Sequence, residues 1–311
     1  HDALPISPIE NRLSELWSIF DFLMPGFLYS AKEFSDCYEK PIIKQKNEEV
    51  SERLKKTVSP FILRRLKSEV LKDLPDKMEE VRYTRFSKEQ QKVYDAQVLH
   101  MKKMLSGGLN TGEDRIKILA ELTKIRQICC DPELLFEDYK GESAKRRALM
   151  ELIESAMEGG HRMLLFSQFT SMLALIEQDL KDADIAYYKI TGSTPKQERL
   201  TLVHRFNDGD VPVFLISLKA GGTGLNLVGA DMVIHYDPWW NMAAQNQATD
   251  RAHRIGQTKQ VTVYRMIMKD TVEEKILRLQ ETKRDLAEAI LEGAGESLAQ
   301  LSSAELMELL G

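Results

Sequence analysis

Three cysteines in 311 residues, Cys37, Cys129 and Cys130, are too few and too badly placed to frame a disulfide-stapled fold. They read as reduced thiols of a cytosolic-type compartment. Cys129 and Cys130 also lack a histidine at metal-ligand spacing, so packing is expected of them and no metal site is. No apolar run approaches the roughly 20 residues that a membrane helix needs. No basic, apolar and small-residue leader marks a secretory signal, so neither a membrane nor export is expected. Basic residues are not in excess: 43 Lys and Arg stand against 48 Asp and Glu, a formal charge of −5. That balance excludes a protein that is basic all over, and any nucleic-acid site has to be a local patch. The rest is globular composition, 43% hydrophobic and 29% charged, which excludes disordered and fibrous chains. The length fits one large domain or two ordinary ones.

Two unlike halves follow. Residues 1 to about 140 read as mostly helical. Leu13, Leu16, Trp17, Phe20 and Leu23 recur at helical spacing until Pro25-Gly26 stops them. Charged helix continues to about Lys56, and Ser59-Pro60 breaks it. A short strand is expected at Glu80–Phe86, then helices at Lys88–Leu105 and Asp114–Cys130 around a glycine-rich loop. From 143 to 267, short apolar runs alternate with amphipathic stretches. The runs are Met163–Phe166, Ala186–Ile190, Val213–Ile216, Met232–His235 and Val261–Ile267; the helices are Ser171–Asp182, Pro195–Asn207 and Met242–Arg254. That alternation is the signature of a parallel α/β sheet covered on both faces. A helix over about Thr271–Leu291, a Gly293-Ala294-Gly295 hinge and a capping-box segment, Ser302–Leu310, complete the chain.

Ligands of open α/β sheets collect beyond the carboxyl ends of the strands. Small and polar groups stand there: Ser167 and Gln168; Thr191, Gly192 and Ser193; Lys219 with Gly221-Gly222-Thr223-Gly224 and Asn226; Asp237 with Trp239 and Trp240. Loop starts are polar in any protein, so this pattern alone leaves the ordinary reading open. The glycine run permits either an anion nest or a tight turn. Its register is not the dinucleotide fingerprint, and no suitable acidic residue follows the first strand, which excludes a nicotinamide-binding dehydrogenase. Gln247, Asp250, Arg251 and Arg254 fall at i, i+3, i+4 and i+7, one face of a helix. Two arginines there can grip one anion, with Asp250 bracing Arg254. A solvated face with incidental ion pairs has the same pattern. Residues 53–72 carry seven basic side chains against Glu69, a DNA-facing or merely solvated stretch.

Taken together these blocks resemble the Swi/Snf family of DNA-dependent ATPases. Gln247–Gln257 resembles the last helicase-like motif, Asp237-Pro238-Trp239-Trp240-Asn241 the block before it, Ser217–Leu227 the fifth motif and Leu164–Phe169 the fourth. Pro60–Arg65 with Leu74–Lys77 is similar to the segment joining the two motor lobes, and Ser7–Asn11 to the tail of the third motif. The resemblance implies a RecA-like α/β fold preceded by a mostly helical region. It implies an expected division into 1–86 (end of a first motor lobe and joining segment), 87–140 (helical protrusion), 141–292 (second, helicase C-terminal lobe) and 293–311 (hinge and helix).

Several roles follow from the resemblance. Arg251 and Arg254 would face the γ-phosphate of ATP held by the other lobe, Arg254 as arginine finger, with Gln247 and Asp250 positioning them. Gly222 and Gly224 would place backbone, and Asn226 its side chain, near the nucleotide cleft or the DNA. Ser167, Gln168, Thr191, Ser193, Lys219 and Thr223 would contact DNA phosphates. Gln245 departs from the glutamate common in the family, which weakens a charge pair at most. ATP and magnesium are the implied cofactors, held mainly by a first lobe; duplex DNA, that lobe and an unidentified protein are the implied partners, in a nucleoid-associated or nuclear setting. The chain contains no Gly-Lys and no Asp-Glu dipeptide, so it holds neither a phosphate loop ending Gly-Lys-Ser/Thr nor the family's acidic box. A chain truncated within the first lobe and inactive alone is expected, from a parent that hydrolyses ATP and translocates on duplex DNA. The rival is a non-catalytic RecA-like module that binds DNA or a protein.

Overall fold

The computed structural model describes residues 13–45, 47–62, 74–106, 112–209, 211–221, 225–239 and 242–280, with Leu310. Two compact units divide the chain: Pro5–Lys72 with Leu279–Ser297, and Asp73–Arg278 with His1–Leu4 and Leu298–Gly311.

In the smaller unit, α1 (Leu13–Leu23) ends where expected, at a turn in which Gly26 takes a φ of +81°. The expected charged helix is broken into pieces. A Ser30/Glu33 capping box starts α2 (Ala31–Phe34), a π-turn at Ser35–Glu39 leads into α3 (Lys40–Gln45), and Asn47 caps α4 (Glu48–Val58). A 3₁₀ turn at Ser59–Phe61 follows, since Pro60 has no N–H to continue the ladder. Leu13, Leu16 and Phe20 of α1 pack with Leu28, Phe34, Tyr38, Leu54 and Val58. Phe22 and Leu23 stand off that face, 86% and 64% exposed.

The larger unit is a six-stranded sheet, parallel at every pairing. Its strands are β1 (Lys77–Thr84), β2 (Met163–Ser167), β3 (Tyr187–Ile190), β4 (Val213–Ser217), β5 (Met232–His235) and β6 (Val261–Met268), in the order β1-β6-β5-β2-β4-β3. β1 starts three residues earlier than expected and pairs with β6 along its length, Lys77 opposite Val261 and Thr84 opposite Met268.

Side chains of the middle strands alternate between two cores, as a period of two requires. Met163 and Leu165 of β2, Val213 and Leu215 of β4, and Met232 and Ile234 of β5 join Leu149, Leu152 and Ile153 of α7 (Ala144–Glu158). Leu173, Ile176 and Leu180 of α8 (Thr170–Asp182) complete that core. Leu164, Phe166, Phe214, Ile216 and Val233 point the other way. They meet Val203 and Phe206 of α9 (Lys196–Asp208) and Ala248 of α11 (Met242–Thr249); the one-turn helix α10 (Leu218–Gly221) lies between these two helices in sequence. The helices α5 (Lys88–Ser106) and α6 (Gly112–Cys130) pack on each other and belong to this unit; Gln90 Nε2 on α5 donates to the Ile128 carbonyl at 3.1 Å. A further helix, α12, runs from 272 through 280 of the described residues.

The base of α12 is held by a fully buried ion pair. Lys145 Nζ lies 2.8 and 2.7 Å from the two oxygens of Glu273, both side chains at 0% exposure. Glu273 also accepts the Met268 N–H at 2.9 Å, and Lys145 sits 5.0 Å from the centre of the Tyr236 ring. Burial opposes the lysine's charge, and the carboxylate beside it holds the proton on. Among the described residues no helix is long and apolar enough to cross a membrane. The expected extension of α12 to Leu291 and the hinge at Gly293–Gly295 lie outside the described residues, as do residues 302–309 of the final segment and the Arg64-Arg65 segment.

Candidate functional site

The expected site residues fall into two groups. The first stands at the carboxyl ends of β2, β3 and β5. Ser167 is fully buried, and its hydroxyl donates to Asp237 Oδ1 at 2.6 Å. Gln168 donates its N–H to the same carboxylate at 3.3 Å, and its side-chain amide donates to Asp237 Oδ2. Asp237 is itself 1% exposed. So Ser167 is turned inward and fixes the Asp237 loop; it offers no exposed hydroxyl. Arg126 supports the same loop from α6. Buried at 4% exposure, it donates to the Pro238 carbonyl at 2.5 Å and lies 5.9 Å from the centre of the Phe169 ring. Burial lowers its pKa, and Asp237 pushes it back up. Gln245, also buried, accepts the Trp239 N–H at 3.3 Å, a job a neutral amide oxygen does as well as a carboxylate.

At the end of β3 the hydroxyls are outside. Ser193 is exposed, Thr191 half-buried, and their oxygens are 2.8 Å apart. Thr194 Oγ1 accepts the Thr191 N–H at 3.0 Å. Lys219's side chain, Gly222, Thr223, Gly224, Trp240 and Asn241 lie outside the described residues.

The second group is elsewhere. The helix expected over Met242–Arg254 ends at Thr249, so Gln247, Asp250, Arg251 and Arg254 do not share one helix face. The ladder breaks where the Arg251 N–H bonds the Ala248 carbonyl in place of that of Gln247, and the Arg251 carbonyl then accepts the Leu227 N–H at 2.9 Å. Thr249 meanwhile points inward, 2.9 Å from His235 Nε2. Tight turns follow, with Arg251 N–H to Ala248 O at 3.2 Å and Gln257 N–H to Arg254 O at 2.9 Å. Gln257 is anchored to the carbonyls of Val228 and Ala230, and His253 to that of Pro75. Those partners precede β5 and β1. The arginine turn therefore sits where strands enter the sheet, with Asn226 exposed beside it and its carbonyl accepting from Asn207 Nδ2 at 2.8 Å.

Arg251 is 5% exposed and Arg254 is exposed. Burial, then the neighbouring Arg254 charge, lowers the Arg251 pKa, and Asp250 opposes this; a guanidinium keeps its proton through such a shift. The result is one seated and one outward-facing cation, three residues apart in a constrained turn. Such a pair can approach an anion presented by another body.

These features have counterparts in known proteins. Residues 4–134 match the SNF2-related domain and residues 144–256 the helicase conserved C-terminal domain. The solved SWI2/SNF2 ATPase C-terminal domain of Sulfolobus solfataricus superposes with a TM-score of 0.63 at 31% identity, over 75% of this chain and 98% of that one. This chain belongs to the SWI2/SNF2 ATPase family. The larger S. solfataricus SWI2/SNF2 ATPase core, solved in complex with dsDNA, matches 97% of this chain at 36% identity with a TM-score of 0.65. An uncharacterized ATP-dependent helicase of Mycoplasma genitalium is 42% identical across 99% of this chain. The chain spans 29% of that helicase's length and 65% of the S. solfataricus core.

A SWI2/SNF2 ATPase needs anchors for ATP, and the resemblance implies a magnesium ion with it. Arg251 and Arg254 suit an arginine contribution to phosphate. Among the described residues no group of three or more His, Cys, Asp or Glu side chains is gathered as a metal ion would need. The described residues thus fit the arginine part of such a site. Sequence reasoning missed Arg126, although Ile118, Leu122, Ile125, Arg126 and Cys129 trace one helical stripe in which an arginine is out of place. It also missed His235, the inward partner of Thr249.

His235 gives this SWI2/SNF2-family chain an acid limit. It is 1% exposed and stacked on Phe166 with ring centres 5.5 Å apart. Burial, then Arg265 and Lys77, lowers its pKa to about 3. Above about pH 6.5 the ring is neutral both folded and unfolded. Below that the unfolded chain takes up a proton the folded chain refuses, so stability falls as pH drops toward 3. Between pH 6.5 and 5 the loss is about 2 kcal/mol at about 1.4 kcal/mol per unit. Urea unfolding at the two pH values measures it, and His235→Gln is expected to remove that part of the difference.

Proposed function

We propose that this chain is the second motor lobe, centred on residues 141–292, with the end of the first lobe, of an ATP-dependent duplex-DNA translocase or remodeller. In this reading Arg251 and Arg254 reach the γ-phosphate of ATP bound by another lobe, Arg254 as the finger and Arg251 as its seated neighbour. Gln247 and Asp250 support the turn. Gln168, Thr191, Ser193, Lys219 and Thr223 grip phosphates of duplex DNA, and Ser167 acts indirectly by fixing Asp237. Gly222, Gly224 and Asn226 border the nucleotide cleft. The observation that carries the reading is the separation of the two groups. Hydroxyls and amides sit at the strand ends, while an exposed arginine sits at the opposite edge of the sheet, so the two tasks use different edges of one lobe. The S. solfataricus core solved with dsDNA supports DNA as the polymer gripped. The ATP would keep its magnesium in the other lobe, and the nucleoid or nucleus is the proposed setting.

Two measurements on the chain alone test this reading. Its affinity for a duplex should fall about threefold to fourfold between 50 and 200 mM salt, the loss expected for one phosphate neutralised by Lys219. ATP turnover should stay at background with and without DNA, since the chain has no Gly-Lys or Asp-Glu dipeptide. Salt-independent binding, or robust turnover by this chain, contradicts it.

A further inference from the structure

The loop leaving β3 is clamped from behind by one side chain. Arg199, in the first turn of α9, donates from Nε to the Thr194 carbonyl at 2.8 Å, and from Nη2 to the carbonyls of Thr191 at 3.1 Å and Gly192 at 3.0 Å. We propose that Arg199 is a positioning residue that presents the Thr191 and Ser193 hydroxyls to a backbone phosphate of the DNA. The proposal rests on the reading of this chain as a DNA-gripping lobe.

The chemistry follows from where the carbonyls go. Thr191-Gly192-Ser193-Thr194 is a loop of one glycine and three hydroxyl residues, free to adopt many conformations unless held. A peptide carbonyl facing a phosphate repels it. Here three carbonyls of the loop face a guanidinium instead, so their negative ends are occupied. The two hydroxyls remain 2.8 Å apart, near enough for both to donate to the oxygens of one phosphate. Above Gly192 the surface is open: a Cβ built there meets no atom within 4 Å. Thr194 fixes the loop from inside by accepting the Thr191 N–H. An arginine suits this task because its donors lie in one rigid plane that can reach several acceptors at once. A lysine presents a single point charge. Order built into the free chain leaves less to be lost on binding.

Fluorescence anisotropy of a labelled duplex, titrated with the full 311-residue chain over 50–200 mM KCl, tests the assignment. Thr191→Ala with Ser193→Ala is expected to weaken binding by about fivefold, the worth of one or two net hydrogen bonds. Arg199→Lys keeps the charge, and is expected to weaken binding by the same factor. Combining all three changes should add nothing further, and the slope of affinity against salt should stay at wild type throughout. Wild-type affinity in Arg199→Lys overturns the proposal, as does a loss that multiplies with the hydroxyl losses. A slope that falls by about one in Arg199→Ala also overturns it, because Arg199 would then touch a phosphate directly. Wild-type binding by the hydroxyl double variant removes the phosphate reading of this loop and the proposal with it. Amide exchange at Thr191 and Thr194 in the DNA-free chain, faster in Arg199→Lys if the clamp holds, separates those two failures. If Arg199→Ala does not fold, the lysine variant carries the test.

Discussion

Replacing Arg254 with alanine in a two-lobed motor built on this chain is expected to lower DNA-stimulated kcat by about 10³-fold or more, with KM for ATP, duplex affinity and the urea midpoint near wild type. The size comes from what an arginine finger does. It meets charge that develops on the transferring phosphoryl group, so its loss is felt in the transition state and scarcely in the ground state. The confinement to kcat comes from the structure. Arg254 is exposed, and among the described residues its side chain forms no ion pair, so the fold does not depend on it. Arg251 differs. At 5% exposure it is part of the packing, and Arg251→Ala is expected to lower the urea midpoint as well as the turnover. A pair in which one variant loses catalysis alone and the other loses both would match one seated and one outward cation. Equal stability losses in the two variants would mean that the turn after Thr249 is misread.

The largest stability change is expected at Lys145. Lys145→Met leaves Glu273 at 0% exposure with its carboxylate facing a methyl group in place of an ammonium. Removing one partner of such a buried pair costs about 3–5 kcal/mol, because the remaining charge has lost its compensation. Glu273 would answer by taking a proton, toward which burial already raises its pKa. The destabilisation should therefore shrink as pH falls, the reverse of the His235 effect. Replacing both partners, Lys145→Met with Glu273→Leu, should recover most of the loss, since apolar groups of similar volume need no pairing. The Met268 N–H would still lose the acceptor it has in Glu273, 2.9 Å away, and part of the loss should persist for that reason. Urea unfolding of the three variants at pH 7 and pH 5 measures each of these differences.

The sheet could be read in the sequence because its middle strands are short, mostly apolar and bounded by polar turns. Five of the six expected strands overlap their observed positions within a residue or so at each end. β1 was harder to place. Met78, Glu79 and Glu80 of this edge strand are exposed, so no buried alternation marks its start. The early end of α11 has no local signal at all. The turns beyond it are tied to the Leu227 N–H through the Arg251 carbonyl, a contact between residues 24 apart that no helical periodicity encodes. The polar residues after the strands could be picked out in the sequence, and their surroundings diverge with burial. Thr191 and Ser193 keep an outward edge, while Ser167 is claimed by Asp237, seventy residues on. Arg126 was legible as a charge within an apolar stripe. Arg199 was not, because three carbonyls converging on one guanidinium leave no trace in residue type.

In the proposed motor an arginine of this chain completes a nucleotide site that another lobe holds. The most direct measurement mixes the chain with a separately purified first lobe carrying the Gly-Lys-Ser/Thr loop and the acidic box, and follows ATP hydrolysis with and without duplex DNA. The expected result is DNA-dependent turnover that neither part has alone and that disappears when the chain carries Arg254→Ala. Stable association of the two parts with no turnover, or turnover indifferent to Arg254→Ala, would contradict it.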